Sequence, residues 1–127
     1  MGEVVLDTNA IIHFFKGDRS IQELLKSFST WYLPTTVVGE LLFGAYNSTH
    51  VEKNLATYRS FFDQVIILSP NDEIVVSYAQ IRLELKRIGK PIPENDIWIA
   101  ATAKAKGLPL ATLDKHFSSI KNLELSK

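Results

Sequence analysis

Short runs of β-branched and aromatic residues alternate with helical patterns along the whole chain, and this alternation limits the possible folds more than any other feature. The first run, Val4-Val5-Leu6, is continuously apolar, as expected of a central strand covered on both faces. Further runs at 31–33, 65–68, 110–112 and 123–125 are predicted as strands two to five. Strands that alternate with helices indicate an α/β domain with a mainly parallel sheet.

Capping signals predict where the intervening helices begin. They are Thr8 or Asn9 for a helix to about Lys16, Ser20 with Glu23 for one toward Ser27, Thr35 with Thr36 for one that carries Glu40, Thr49 with Glu52 for one through Phe62, and Ser69-Pro70 for a long helix ending at Gly89. The alanine-rich stretch from Asn95 to Lys106, which closes at Gly107, is predicted as a further helix. A short helical turn is expected around 115–119.

Size and composition predict one domain covering residues 1–127. The chain is 46% hydrophobic, enough to bury a core. With 14 Lys and Arg against 14 Asp and Glu, it has no overall positive field, so contact with a nucleic acid would need a local patch or a bound metal. The absence of cysteine excludes disulfides, thiolate zinc sites and cysteine nucleophiles. Without a signal-peptide or membrane-span pattern, we expect a soluble cytoplasmic protein.

Acidic residues occur where the predicted topology would bring them to one edge of the sheet. Asp7 directly follows the first strand, and Asp114 follows the fourth. Glu40 lies early in the helix after the second strand, and Asp96 lies in the first turn of the helix before the fourth. Ligands of open parallel sheets bind at the carboxyl ends of the strands, where the strand order reverses. We therefore expect these four side chains to converge there.

A cluster of carboxylates indicates a cation site, because neighbouring negative charges repel and raise one another's pKa. Ligation by oxygen alone favours Mg²⁺ or Mn²⁺ over zinc. One or two such ions would activate water for hydrolysis of a phosphodiester. Taken singly, Asp96, Asp114 and Glu40 also fit a helix start, a turn and a solvated helix face, so the functional interpretation depends on their joint placement.

The four acidic residues lie in four separate sequence blocks, whose order along the chain can be compared with that of known families. The blocks are Leu6-Asp7-Thr8-Asn9, Gly39–Ala45, Pro93–Ala101 and Ala111–Phe117. Together these blocks resemble the PIN-domain family. The chain length and the sequence motif Ile92–Asp96 resemble those of the VapC-type toxins in this family, which belong to bacterial toxin–antitoxin pairs.

This resemblance implies a Rossmann-like PIN fold, with a parallel five-stranded sheet of order 3-2-1-4-5 flanked by helices. It implies a Mg²⁺-dependent endoribonuclease, with Mn²⁺ as a possible substitute, that acts on RNA, is inhibited by a small antitoxin and forms a homodimer. The family's catalytic and metal-binding residues correspond here to Asp7, Glu40, Asp96 and Asp114. Thr8, Asn9 and Thr112 would orient carboxylates or water.

Other polar and aromatic residues receive no role in the chemistry. His13, His50 and His116 lack the spacing of a metal site, although His116 is near enough to Asp114 to touch a substrate. Trp31 and Trp98 are expected to pack in the core rather than to stack on bases. The basic residues Lys86, Arg87, Lys90, Lys104, Lys106 and Lys115 fit either a phosphate-binding rim or a solvated helix face.

Two alternatives remain open at this point. A haloacid-dehalogenase-type phosphatase also places an aspartate after its first strand, but it requires a second aspartate two residues later, where this chain has Asn9. A protein that binds RNA or a partner without cleavage would retain RNA in EDTA and release no products with Mg²⁺.

Overall fold

A parallel β-sheet forms the centre of the molecule. The computed structural model describes residues 2–126. The strands in this range are β1 (Glu3–Leu6), β2 (Thr30–Pro34), β3 (Ile66–Leu68) and β4 (Leu110–Ala111). They are all parallel and lie in the order β3-β2-β1-β4. The predicted α/β architecture is therefore confirmed, and β1 and β4 are neighbours as expected.

Helices connect the strands. They are α1 (Thr8–Phe15), α2 (Arg19–Lys26), α3 (Thr35–Tyr46), α4 (Val51–Phe62), α5 (Asp72–Arg87) and α6 (Glu94–Lys106), followed by a 3₁₀ helix (Lys115–Ser119). Gly107 ends α6 in the left-handed conformation, with φ of 67°, as its glycine predicted. No helix within residues 2–126 combines the length and apolarity needed to cross a bilayer.

The core lies on both faces of β1. Val4, Val5 and Leu6 are completely buried, as the continuous apolar run predicted. Small side chains of α6, including Ala100 and Ala101, are also completely buried, so this helix packs closely on the sheet. This packing fixes the amino-terminal turn of α6 near the carboxyl ends of β1 and β4.

The prediction of a fifth strand is wrong, because no fifth strand forms within residues 2–126. The 123–125 segment makes one isolated parallel bridge, between Leu125 and Leu110, and does not extend into a strand. The Leu110 N–H donates to the Glu124 carbonyl at 2.8 Å, and the Ser126 N–H donates to the Leu110 carbonyl at 2.9 Å. Because β4 is only two residues long, it offers too little edge for a fifth strand to pair with. The sheet order is 3-2-1-4 rather than 3-2-1-4-5.

Several helices have an N-cap residue that differs from the one predicted from the sequence. Asp7, rather than Thr8 or Asn9, caps α1. Asp18 replaces the predicted capping box of α2, and Asn71 replaces Ser69 at the start of α5. The α4 helix begins after His50 without a side-chain cap, so the predicted Thr49–Glu52 capping box does not form. In α2 and α5, the observed cap accepts a hydrogen bond from the N–H three residues later, which the predicted serines are not placed to do.

Candidate active site

Asp7 is a buried carboxylate at the carboxyl end of β1. Asp7 is only 3% exposed, and its side chain also caps α1. Oδ1 accepts a hydrogen bond from the Thr8 N–H at 2.7 Å, and Oδ2 accepts one from the Thr112 hydroxyl at 2.6 Å. These bonds fix the orientation of both carboxylate oxygens.

The pairing of β1 with β4 brings Thr112 to Asp7. Leu6 is in register with Ala111, and the Asp7 N–H donates to the Ala111 carbonyl at 3.0 Å. Thr112 therefore follows β4 directly beside Asp7. Its hydroxyl oxygen also accepts a hydrogen bond from the Asp114 N–H at 3.0 Å. One threonine thus links the acidic residues that end the two neighbouring strands.

Glu40 reaches the same edge from α3. The Thr8 hydroxyl donates to Glu40 Oε1 at 2.6 Å, and the Asn95 amide donates to Glu40 Oε2 at 3.3 Å. Because the Thr8 backbone contacts Asp7 and its hydroxyl contacts Glu40, this residue connects two carboxylates from different elements.

Asp96 and Asp114 meet at His116. The imidazole Nδ1 lies 3.2 Å from Asp96 Oδ2 and 3.2 Å from Asp114 Oδ1. One potential ligand atom from each of these three residues lies within 4.8 Å of the others. Oxygen and nitrogen donors therefore face a common point from the start of α6 and from the 3₁₀ helix.

The electrostatics of Asp7 and Asp96 reflect burial among like charges. The pKa of Asp7 is raised from 3.8 to about 6, mainly by burial. Hydrogen bonds from Thr112 and Thr8 oppose this shift, whereas the negative charges of Asp96 and Glu40 add to it. Burial also raises the pKa of Asp96, with smaller contributions from Asp114 and Glu40, whereas the hydrogen bond with His116 lowers it. A bound cation would favour the ionised form of both groups.

We call Asp7, Glu40, Asp96 and Asp114 the acidic group. In residues 2–126, no Lys or Arg forms an ion pair with any of its members, and the one basic partner is His116. The four carboxylates supply hard oxygen donors, which suit Mg²⁺ or Mn²⁺, whereas the imidazole of His116 is a nitrogen donor that these ions do not prefer. Of the acidic group, Asp96 and Asp114 lie close enough, together with His116, to share one ion in the described structure. The residues present therefore fit a divalent cation.

The predicted orienting residues divide into two kinds. Thr8 and Thr112 contact the acidic group directly. Asn9 is exposed, and within the described part of the chain its side chain makes no hydrogen bond to the acidic group. The sequence interpretation missed Asn95, and it assigned His116 no role. The spacing of Asp114 and His116 was an available signal, since a turn in which an aspartate accepts from the N–H two residues later brings that residue back over it.

The remaining predictions concern tryptophans and basic residues. Trp31 and Trp98 both pack against the core, as expected, and Trp98 stacks on Tyr78 with ring centroids 3.9 Å apart. Lys104 and Lys106 lie in the last turn of α6, at the opposite end from Asp96, and Lys106 Nζ lies 5.6 Å from the centre of the Tyr32 ring. These two lysines therefore do not belong to a rim around the acidic group.

Comparison with known proteins identifies the family of this chain. The PIN domain family profile matches residues 4–123. Ribonuclease VapC2 of Haemophilus influenzae is 34% identical over 116 residues, which cover 88% of this chain and 86% of that protein. The tRNA(fMet)-specific endonuclease VapC of Salmonella typhimurium is 32% identical over 114 residues, covering 88% and 86%.

A solved structure shares the fold over nearly the full length. It is the DNA-bound VapBC from Salmonella typhimurium, in which the matching chain aligns with a TM-score of 0.90 and 29% identity, covering 99% of this chain and 98% of that one. The profile match, the sequence relatives and the shared fold agree. This chain belongs to the PIN domain family.

Proposed function

We propose that this chain is a metal-dependent endoribonuclease of the VapC type that hydrolyses RNA phosphodiester bonds. The observation that carries the proposal is the acidic group itself. One of its members, Asp7, is buried, and no Lys or Arg within residues 2–126 is paired with any member. The ribonuclease names of the sequence relatives support RNA as the substrate.

In the proposed site, Asp7, Asp96 and Asp114 would hold Mg²⁺, for which Mn²⁺ could substitute, and Glu40 would complete the ligand set or orient water. When bound, the cation supplies charge stabilisation and an activated water for phosphodiester hydrolysis. Thr112 and Thr8 hold the carboxylate of Asp7 in one orientation and favour its ionised form. Asn9 remains a predicted orienting residue for which water would have to mediate the contact.

We further propose that the protein acts as one domain in the cytoplasm, forms a homodimer and binds a small antitoxin. The solved VapBC relative supports the antitoxin. Exposed large apolar side chains on α5 support the dimer: Val75, Val76 and Leu83. Light scattering after size-exclusion chromatography tests the dimer, and a single-chain mass would contradict it.

The test of the nuclease is incubation with transfer, ribosomal and messenger RNAs in Mg²⁺ or in EDTA, followed by mapping of the cut ends. Defined cuts in Mg²⁺ that disappear in EDTA and with Asp7→Asn are the expected result. Retention of intact RNA under both conditions would support a binding protein instead. Hydrolysis of a generic phosphomonoester without RNA cleavage would support a phosphatase.

The toxin assignment has a separate test in cells. Expression of the chain should arrest growth, and co-expression of a small neighbouring gene product should relieve the arrest. The Asp7→Asn variant should be harmless, because it lacks the proposed central ligand. Unaffected growth on expression of the active wild-type enzyme would contradict the toxin assignment without affecting the nuclease assignment.

A further inference from the structure

A cavity of about 780 Å³ adjoins the acidic group between α3 and α6. Glu40 belongs to its wall, and Thr8, which contacts both Asp7 and Glu40, lines it as well. Phe43 and Trp98 supply aromatic walls from the two helices. The cavity is therefore continuous with the proposed site of hydrolysis.

The two aromatic residues occupy equivalent positions on their helices. Phe43 lies three residues after Glu40 on α3, and Trp98 lies three residues after Asn95 on α6. Each ring is thus about one helical turn, roughly 4.5 Å of rise, beyond a polar residue at the acidic group. A nucleotide held at the acidic group would have its neighbouring base within reach of both rings.

Phe43 is unusually accessible for an aromatic residue. It is 69% exposed, and no aromatic ring in the described part of the chain stacks against it. Trp98, in contrast, is held in place. It stacks on Tyr78 at an interplanar angle of 11°, and the Tyr78 hydroxyl is in turn bonded to Glu94 and Arg82. One wall of the cavity is fixed and the other offers an uncovered ring.

The polar residues that line the cavity suit an uncharged nucleobase better than a phosphate. Glu40 contributes a carboxylate, Asn95 an amide and Thr36 a hydroxyl, whereas no Lys or Arg is found among the residues that line this cavity in the described structure. A phosphate would meet a negative charge without a compensating side chain, whereas a base can stack on aromatic rings and bond to amide and hydroxyl groups.

We propose that this cavity takes an unpaired nucleobase of the RNA, next to the bond that is cut, with Phe43 as the stacking surface and Trp98 as a fixed aromatic wall. Asn95 and Thr36 would offer hydrogen bonds to the edge of the base. This proposal deepens the proposed nuclease function and rests on it for the identity of the ligand. It makes Phe43 a substrate-binding residue.

The test measures binding of a short single-stranded RNA by fluorescence anisotropy in Mg²⁺, with Asp7→Asn present in every protein so that the RNA is not consumed. An abasic oligonucleotide with the same ribose-phosphate backbone serves as the second ligand. Phe43→Ala should weaken binding of the RNA about tenfold, in line with the loss of one base–aromatic stack. Phe43→Trp should retain tight binding, and all the proteins should bind the abasic ligand equally weakly.

Tyr46→Ala is the matched control, because Tyr46 is also an exposed aromatic residue of α3, at 59% exposure, but does not line the cavity. Its affinity for RNA should be unchanged. Unchanged RNA affinity of Phe43→Ala would overturn the proposal, and so would an equal loss on the abasic ligand, which would indicate a backbone contact. Dissociation of a dimer by both alanine variants would overturn it too, by assigning Phe43 to an interface between copies.

Failure of this inference can be told apart from failure of the proposed function. If the wild-type protein does not cut RNA but binds it through bases and Phe43, the hydrolysis proposal fails and the cavity assignment holds. If the wild-type protein cuts RNA and Phe43→Ala binds it normally, the nuclease stands and the cavity assignment fails.

Discussion

Asp7 is a carboxyl group in a position where its ionised form is unfavourable without a cation. Because folding raises its pKa from 3.8 to about 6, the folded protein binds this proton more tightly than the unfolded chain does. The stability associated with the neutral group is therefore fully present below pH 3.8 and is lost as the pH rises toward 6. Above that range, ionised Asp7 lowers the free energy of unfolding of the metal-free protein by up to about 3 kcal/mol.

We predict that Asp7→Asn stabilises the metal-free protein near neutral pH, by up to about 3 kcal/mol, because the amide is never ionised. The difference should shrink toward zero near pH 4, where the wild-type carboxyl is protonated. Urea unfolding of both proteins in EDTA across this range measures it. A difference that does not vary with pH would contradict the assignment of the effect to ionisation.

His116 is predicted to keep Asp96 more acidic than burial alone would allow. His116→Ala removes the hydrogen bond that lowers the pKa of Asp96, so this pKa should rise further above its ordinary value. Carbon-detected NMR titration of the aspartate carboxyls in the metal-free protein measures the change. His13→Ala is the control, because His13 pairs with Asp18 and not with the acidic group. An unchanged Asp96 titration in His116→Ala would contradict the prediction.

For placing individual site residues, the predicted strand ends were more informative than local composition. Asp7 and Asp114 could be placed together because each ends a recognisable strand, and β1 and β4 pair side by side. The spacing of Asp114 and His116 indicated a turn that brings His116 back over Asp114, but the contact with Asp96 depends on how the tertiary fold directs the ring. No periodic pattern in the sequence specifies that direction.

Among the helices, the start of α5 offers a direct comparison between two caps. Asn71 Oδ1 accepts a hydrogen bond from the Ile74 N–H at 2.9 Å, so Asn71→Ala should lower the free energy of unfolding by about 1 kcal/mol. Ser69→Ala should have little effect, because Ser69 does not cap the helix. Chemical denaturation of the two variants tests this. A larger loss for Ser69→Ala would contradict the observed cap.

Elements were easier to predict than their ends. The apolar run of β1 and the alanine-rich pattern of α6 each have one physical interpretation, and both elements lie where expected. Cap positions were less certain because several capping residue types occur side by side, such as Ser69 and Asn71, and the tertiary fold selects one. The fifth strand was predicted from local β propensity, but pairing also needs a long enough neighbour, and β4 is short.

For the molecule as a whole, a divalent cation should act as a stabilising ligand. A ligand that binds only the folded state adds about 2.7 kcal/mol at a concentration one hundred times its Kd, which corresponds to a rise of about 10 °C in Tm for a domain of this size. We predict such a rise on addition of Mg²⁺ to the wild-type protein and its near loss in Asp7→Asn. Asp72→Asn is the control, an exposed acidic residue in the first turn of α5, and it should keep the full rise. Differential scanning fluorimetry measures all three, and an equal rise in all would contradict a cation site at Asp7.

The hydrogen bond from Thr112 to Asp7 spans 105 positions of the chain. A growing polypeptide carries Asp7 long before it receives β4 and Asp114. The proposed cutting centre therefore cannot assemble until this later segment has been translated. A ribosome that makes this protein, and the messenger it is reading, would be exposed to an active enzyme only after Asp114 has been synthesised.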